Sequence, residues 1–295
     1  LNTTGTITIT DDLSVSTSDV TIINNSATLV VLDDIKQVSY ENNIHIENYG
    51  SITCNDFDFG DNRFRLHNHG TIINNDIFNV GWNNEIHNHD NATWTYRGEL
   101  KDPDIKLFTS YNNNTFIYGR AGNQQIIEPQ STYYNLEITG SGIKSTDFVS
   151  LIVERDLFLR DAAVLDPGTF GTNLTVGDDF ESFSSQADPY IPGTTTVSIG
   201  MGQNYLSRVN SANGIRLYNL EVNTTRELRN SDSDIIIENN VNIINGPISI
   251  DNTGKFVILD NATITGYSAS QFITGPVQKV GDDPFIFPLG DDGNF

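Results

Sequence analysis

Residues 67–70 read HNHG and residues 87–90 read HNHD, so four of the five histidines fall in two matching tripeptides. The two lie roughly 20 residues apart, a step at the short end of repeat periods. The fifth histidine, His45, lies just upstream. Imidazole nitrogens are common protein ligands of zinc and copper. On a strand, residues i and i+2 share a face, so His67 and His69 point one way and Asn68 the other. If the step between the tripeptides is one turn of a coil, His87 stacks over His67 and His89 over His69. The result is a two-by-two grid of imidazoles, about 4.8 Å apart along the coil axis and about 7 Å across it. Such a grid either gathers a metal ion or is a passive stack, because duplication of a turn copies side chains whether or not they act. The passive stack is the simpler expectation, and zinc is disfavoured.

Acidic pairs offer a second chemistry. Asp178-Asp179, Asp282-Asp283 and Asp291-Asp292 each adjoin a glycine. Oxygen-rich turns of this kind suit calcium, and Asp282, Asp283, Asp291 and Asp292 are the candidate calcium ligands. None has the spacing of an EF-hand loop. Arg155, Asp156 and Arg160 are close in sequence, but Arg155 and Asp156 alternate faces, which reads as a surface ion pair. The chain contains no GxSxG, HExxH, P-loop or CxxC pattern, so no catalytic residues are expected.

The elements that would position these side chains recur along the chain. GTITI at Gly5, SATLV at Ser26, GSITC at Gly50, GTIIN at Gly70 and NATWT at Asn91 mark successive units. Asn48, Asn68 and Asn88 keep the same step as the histidine tripeptides. Short alternating segments such as Thr6-Ile7-Thr8-Ile9 predict half-buried strands, and NN, GD, DN and NG pairs between them predict turns. Three short strands and three turns in about 20–21 residues describe one rung of a right-handed parallel β-helix. The asparagines then form an inward ladder, each donating to and accepting from its neighbours in adjacent rungs; the alternative is an exposed polar turn. A longer repeat pairs YYNLEITG at Tyr133 with LYNLEVNT at Leu217, and GTNLTV at Gly171 with GKFVIL at Gly254, at offsets of 84 and 83. The expected organisation is an all-β solenoid over 1–271. It has regular rungs over 1–96, an irregular rung or loop over 97–130 and duplicated four-rung blocks over 131–271. Residues 272–295 are expected either to cap the end of the solenoid or to begin a further β element of a following domain.

Composition bounds the function. Lys and Arg number 16 against 38 Asp and Glu, a net charge of −22. Such a surface repels phosphate backbones and anionic lipid, which argues against nucleic-acid partners. No apolar run approaches the roughly 18 residues of a membrane-spanning segment, so membrane insertion is not expected. One cysteine, Cys54, excludes an intrachain disulfide. The N-terminus lacks the basic start and apolar run of a signal peptide. The abrupt end in GDDGNF is expected of a piece cut from a longer chain.

The pattern Gly119-x-x-x-x-Gln124, the string YYNLEITGSGIK over 133–144 and the segment ITGPVQKVGDDPFIFPLGDDG over 273–293 together resemble large secreted surface proteins of Bacteroidota. That resemblance implies a β-helical, exported, cell-surface protein, often a cargo of the type IX secretion route and often adhesive. It implies no particular ligand. The expected role is therefore a non-catalytic segment of an adhesin or extracellular fibre, acting as stiff stalk or as binding module. Its partners would be extracellular glycans, surfaces or copies of itself. A β-helical polysaccharide lyase or hydrolase and a self-assembling filament subunit are the alternatives.

Overall fold

The structure, a computed structural model, describes residues 4–15, 20–38, 43–60, 64–76, 78–80, 84–99, 105–230, 233–251 and 253–290. It is all-β: parallel strands stack as a β-solenoid of about 12 turns. Among the described residues no helix is long and apolar enough to cross a membrane. The chain divides into two compact units, residues 1–140 and 141–295.

In the first unit each turn contributes one strand to each of up to three faces. The first face runs Thr6–Ile9, Thr28–Val31, Ser51–Cys54, Thr71–Asn74, Thr93–Tyr96, Thr115–Tyr118 and Asn135–Ile138. The second holds Leu13–Val15, Ile35–Gln37, Phe57–Gly60 and Phe78–Val80. The third runs Val20–Asn24, Ile44–Asn48, Phe64–Asn68, Glu85–Asn88, Lys106–Thr109 and Pro129–Tyr133. The pairings along them are parallel.

Alternation makes the core. Successive strand side chains point to opposite sides, so on the first face Leu29, Ile52, Ile72, Trp94, Phe116 and Leu136 form one buried inward column. Rings make up part of that interior: Trp94 and Phe116 lie 6.0 Å apart, and the fully buried Tyr118 and Tyr133 share a hydrogen bond of 2.7 Å.

In the second unit Leu174, Val197, Leu220, Val241 and Ile264 form a buried column of their own in register. The four-rung repeat expected from the matched strings is not a repeat in space. Four turns on from Leu174 lies Ile264, a longer step along the chain than either offset of the strings. Turns here are unequal in length, so the matched copies fall out of phase. Asn173–Val176 stacks under Thr196–Ile199, whereas its counterpart Phe256–Ile258 stacks on Ile235–Ile237. The NLEV copy is fused into the long strand Ile215–Asn223, while NLEI forms the separate strand Asn135–Ile138.

Two further stretches bear on the expected organisation. Within the described part of 97–130, Thr115–Tyr118 keeps full register with Thr93–Tyr96, and an irregular pairing lies where Leu107 and Thr109 face Pro129 and Tyr133. Within the described residues 272–290, short strands continue the coil. Ile273–Thr274 extends the stack on Ile248–Ile250, and Val277–Lys279 that on Phe256–Ile258. Gly275 at φ 102 makes the corner between them. Pro276, which cannot donate, accepts from Phe256 N at 2.9 Å.

Candidate functional site

The third face of the first unit carries the histidines, and a polar ladder fixes its corner. Asn24, Asn48, Asn68 and Asn88 are wholly buried. The Nδ2 of each of the first three donates to the Oδ1 of the next, at 2.9, 2.8 and 2.8 Å. All four Nδ2 atoms donate to the carbonyls of Ser51, Thr71, Thr93 and Thr115 at 3.1–3.3 Å, tying each corner to the strand that follows it in the next rung. Main-chain bonds repeat there too: Tyr49 N, His69 N and His89 N donate to the carbonyls of Asn24, Asn48 and Asn68 at 2.7, 2.7 and 2.8 Å.

The rungs close tightly at this corner. A Cβ on Gly70 would lie 2.1 Å from the Gly50 carbonyl oxygen, and one on Gly50 2.4 Å from that of Ala27. Neither glycine needs a left-handed backbone; what both need is the missing side chain.

Outside this corner stand two columns of rings. Glu47, His67, His87 and Phe108 follow one another in register. His67 and His87 stack at 4.5 Å with planes 1° apart, and His87 and Phe108 at 4.4 Å and 3°. In the neighbouring column Tyr49 stacks on His69 at 4.5 Å, His69 on His89 at 4.1 Å, and His89 meets Tyr111 at 4.4 Å. The structure thus brings His67, His69, His87 and His89 together as a two-by-two array. Its columns are closer than strand geometry alone implies, with His87 and His89 centroids 5.6 Å apart.

The array is bonded across as well as stacked. His67 Nδ1 and His89 Nε2 share a hydrogen bond of 2.8 Å along the diagonal. His87 Nδ1 bonds Tyr111 Oη at 2.9 Å. Glu47 sits at one end, with one oxygen 2.7 Å from His45 Nε2 and the other 3.4 Å from His69 Nε2. Burial pushes His67 below the ordinary imidazole range. Burial, helped by the neighbouring histidines, brings His87 and His89 down to about 4. These three rings are therefore neutral at pH 7, the form that ligates metals. Stacked rings cover one another's faces, so the array presents nitrogen-bearing edges and not an aromatic platform.

Among the described residues, three groups bring ligand atoms within 4.8 Å of one another: His67, His87 and His89; His45, Glu47 and His67; and Asp11, Asp12 and Asp33. The expected calcium pair belongs to none of them. Asp283 accepts from Lys279 Nζ at 2.7 Å and from Asn261 N at 3.3 Å, and that ammonium group holds its carboxyl below the usual range. Asp282 is exposed, and Asp291 and Asp292 lie outside the described residues.

Arg155 pairs with Asp178 of the next rung at 2.8 Å. Arg155 also lies 4.0 Å over the Tyr205 ring, and Arg208 reaches Asp179 at 2.9 Å. Burial, with Asp178 beside it, pushes Asp179 up to about 6. Residue pattern alone missed this cross-rung cluster, as it missed Glu47, Tyr49, Phe108 and Tyr111 around the histidines.

No family model, curated protein or solved structure matches this chain.

Proposed function

We propose that this chain is a non-catalytic segment of a secreted bacterial cell-surface adhesin or extracellular fibre, serving as stiff support and as a binding face for glycans or other ordered surfaces. The observation that carries this reading is the outward edge of the first face. Thr6, Thr28, Ser51, Thr71, Thr93 and Thr115 are consecutive register partners. They form a file of hydroxyls about 4.8 Å apart, exposed or half-buried. Beside it runs a second file, Thr8, Val30, Thr53, Ile73, Thr95 and Ile117. A regular strip of donors and acceptors on a stiff backbone suits a periodic, extended partner, because ordering such side chains on binding costs little. The net charge of −22 disfavours polyanionic partners. The Bacteroidota-like motifs support export to the cell surface by the type IX route.

The test is a panel of neutral and uronic-acid polysaccharides, soluble and crystalline, assayed for retention and for new reducing or unsaturated ends. Binding without turnover is expected, and Thr71→Tyr with Thr93→Tyr should abolish it while leaving the melting temperature unchanged. Turnover, or binding indifferent to those substitutions, contradicts the reading.

One observation favours a second reading, glycan cleavage. A carboxyl held near pH 6 beside guanidinium groups, as Asp179 is beside Arg208 with Arg155 close by, suits general acid catalysis on an anionic sugar. If turnover is found, Asp179→Asn should abolish it.

A further inference from the structure

We propose that His67, His87 and His89 bind one divalent ion of the zinc–copper class on the outer side of the third face. The diagonal contact is the starting point. Two imidazole nitrogens, His67 Nδ1 and His89 Nε2, point at one another 2.8 Å apart and share one hydrogen. Two nitrogens on a tetrahedral zinc at 2.0–2.1 Å stand about 3.3 Å apart. Opening this pair by about half an ångström gives that spacing, with the ion to one side of the N–N line and replacing the hydrogen between the two rings. That hydrogen moves to the other nitrogen of its own ring, so each imidazole stays neutral and no proton is lost.

His87 supplies the third nitrogen, its ligand atom lying within 4.8 Å of the other two. Its ring is parallel to that of His67, so the lone pairs of these two run side by side and one ring must turn. Tyr111, now bonded to His87 Nδ1, is the group that yields or follows. Three imidazoles leave an open position for water, an arrangement zinc accepts. The overlapping set His45, Glu47 and His67 is the weaker choice because its carboxylate is already engaged by His45 and His69. Glu47 instead serves as an outer partner that holds His69, and through the stack His89, in place.

The test uses the whole chain, stripped with chelator and titrated with Zn²⁺ by calorimetry and with Cu²⁺ under electron paramagnetic resonance. One ion per chain is expected, with the copper spectrum showing three coupled nitrogens. His87→Gln and His89→Gln should each weaken binding by about 100-fold or more, and His45→Gln, one contact beyond the outer partner Glu47, by no more than about 10-fold, the low end for an outer partner. Far-UV circular dichroism establishes that each variant is folded; should one not be, the nitrogen count in the unsubstituted chain decides. No binding, fewer than three nitrogens, or loss in His45→Gln but not in His89→Gln would each overturn the proposal.

Discussion

Asn48 and Asn68, inside the buried ladder, are each donor to one asparagine and acceptor from the other, so Asn68→Ala takes a partner from two neighbours at once. Asn88 Oδ1 loses its donor, and Asn48 Nδ2 keeps only main-chain partners. A buried polar group left without its partner costs about 1–3 kcal/mol. Asn68→Ala should therefore lower the unfolding free energy by about 2 kcal/mol or more, read from urea denaturation at unchanged m-value; a neutral result would mean the ladder is not buried. The histidines make a pH prediction. Burial lowers the folded pKa of His87 and His89 to about 4 from 6.5, so between those values the unfolded chain binds more protons. Stability thus rises with pH across that window, is complete above about 6.5 and is lost as pH falls towards 4. His87→Phe, which keeps a ring between His67 and Phe108, should flatten that slope in urea midpoints measured from pH 4 to 7. An unaltered slope would place the acid sensitivity elsewhere. The array was legible in the sequence because its two tripeptides occupy matching positions on successive turns, one register step apart. The His67–His89 bond was not, since it depends on side-chain rotation. Glu47 escaped notice because it occupies the imidazole column without being an imidazole.

At the level of the rung, the corners limit what the sequence can vary. Gly70→Ala would put a methyl group 2.1 Å from a main-chain oxygen of the rung beneath. Backbone cannot swing aside as a flexible side chain can, so the rungs must part and strain the asparagine bonds beside them. A loss of about 1–3 kcal/mol is expected, as for overpacking generally, measured by thermal or urea unfolding; a silent substitution would show that the corner is open. Rung structure was legible from alternation, since strands such as TITI and NLTV bury every second residue. Rung length was less so. The step from Asn24 to Asn48 is longer than the equal steps from Asn48 to Asn68 and from Asn68 to Asn88. A constant period therefore finds the last three and passes over Asn24, the ladder's first member. The same variation misled the longer comparison. Similar strings at a near-constant offset look like copied blocks, but turns of unequal length carry them to different stacks. Loops absorb insertions at little cost, so strand register survives where sequence phase does not.

At the scale of the molecule, the ladders, ring stacks and hydroxyl files all depend on parallel winding, in which each turn advances the chain by one strand spacing. Solenoid winding makes distance along the coil a linear function of rung number and nearly independent of the residues between. Thr28 and Thr115 are four rungs apart, and Thr6 and Thr115 five. Pulsed electron resonance between nitroxides placed on Cys at those two pairs is the most direct measurement, with the buried Cys54 left unlabelled. Mean separations of about 19 and about 24 Å are expected, the second longer by one strand spacing of about 4.8 Å. Broad distributions, or separations that do not grow by that single step when the pair is moved from Thr28 to Thr6, would contradict the winding and with it the histidine array and the hydroxyl strip.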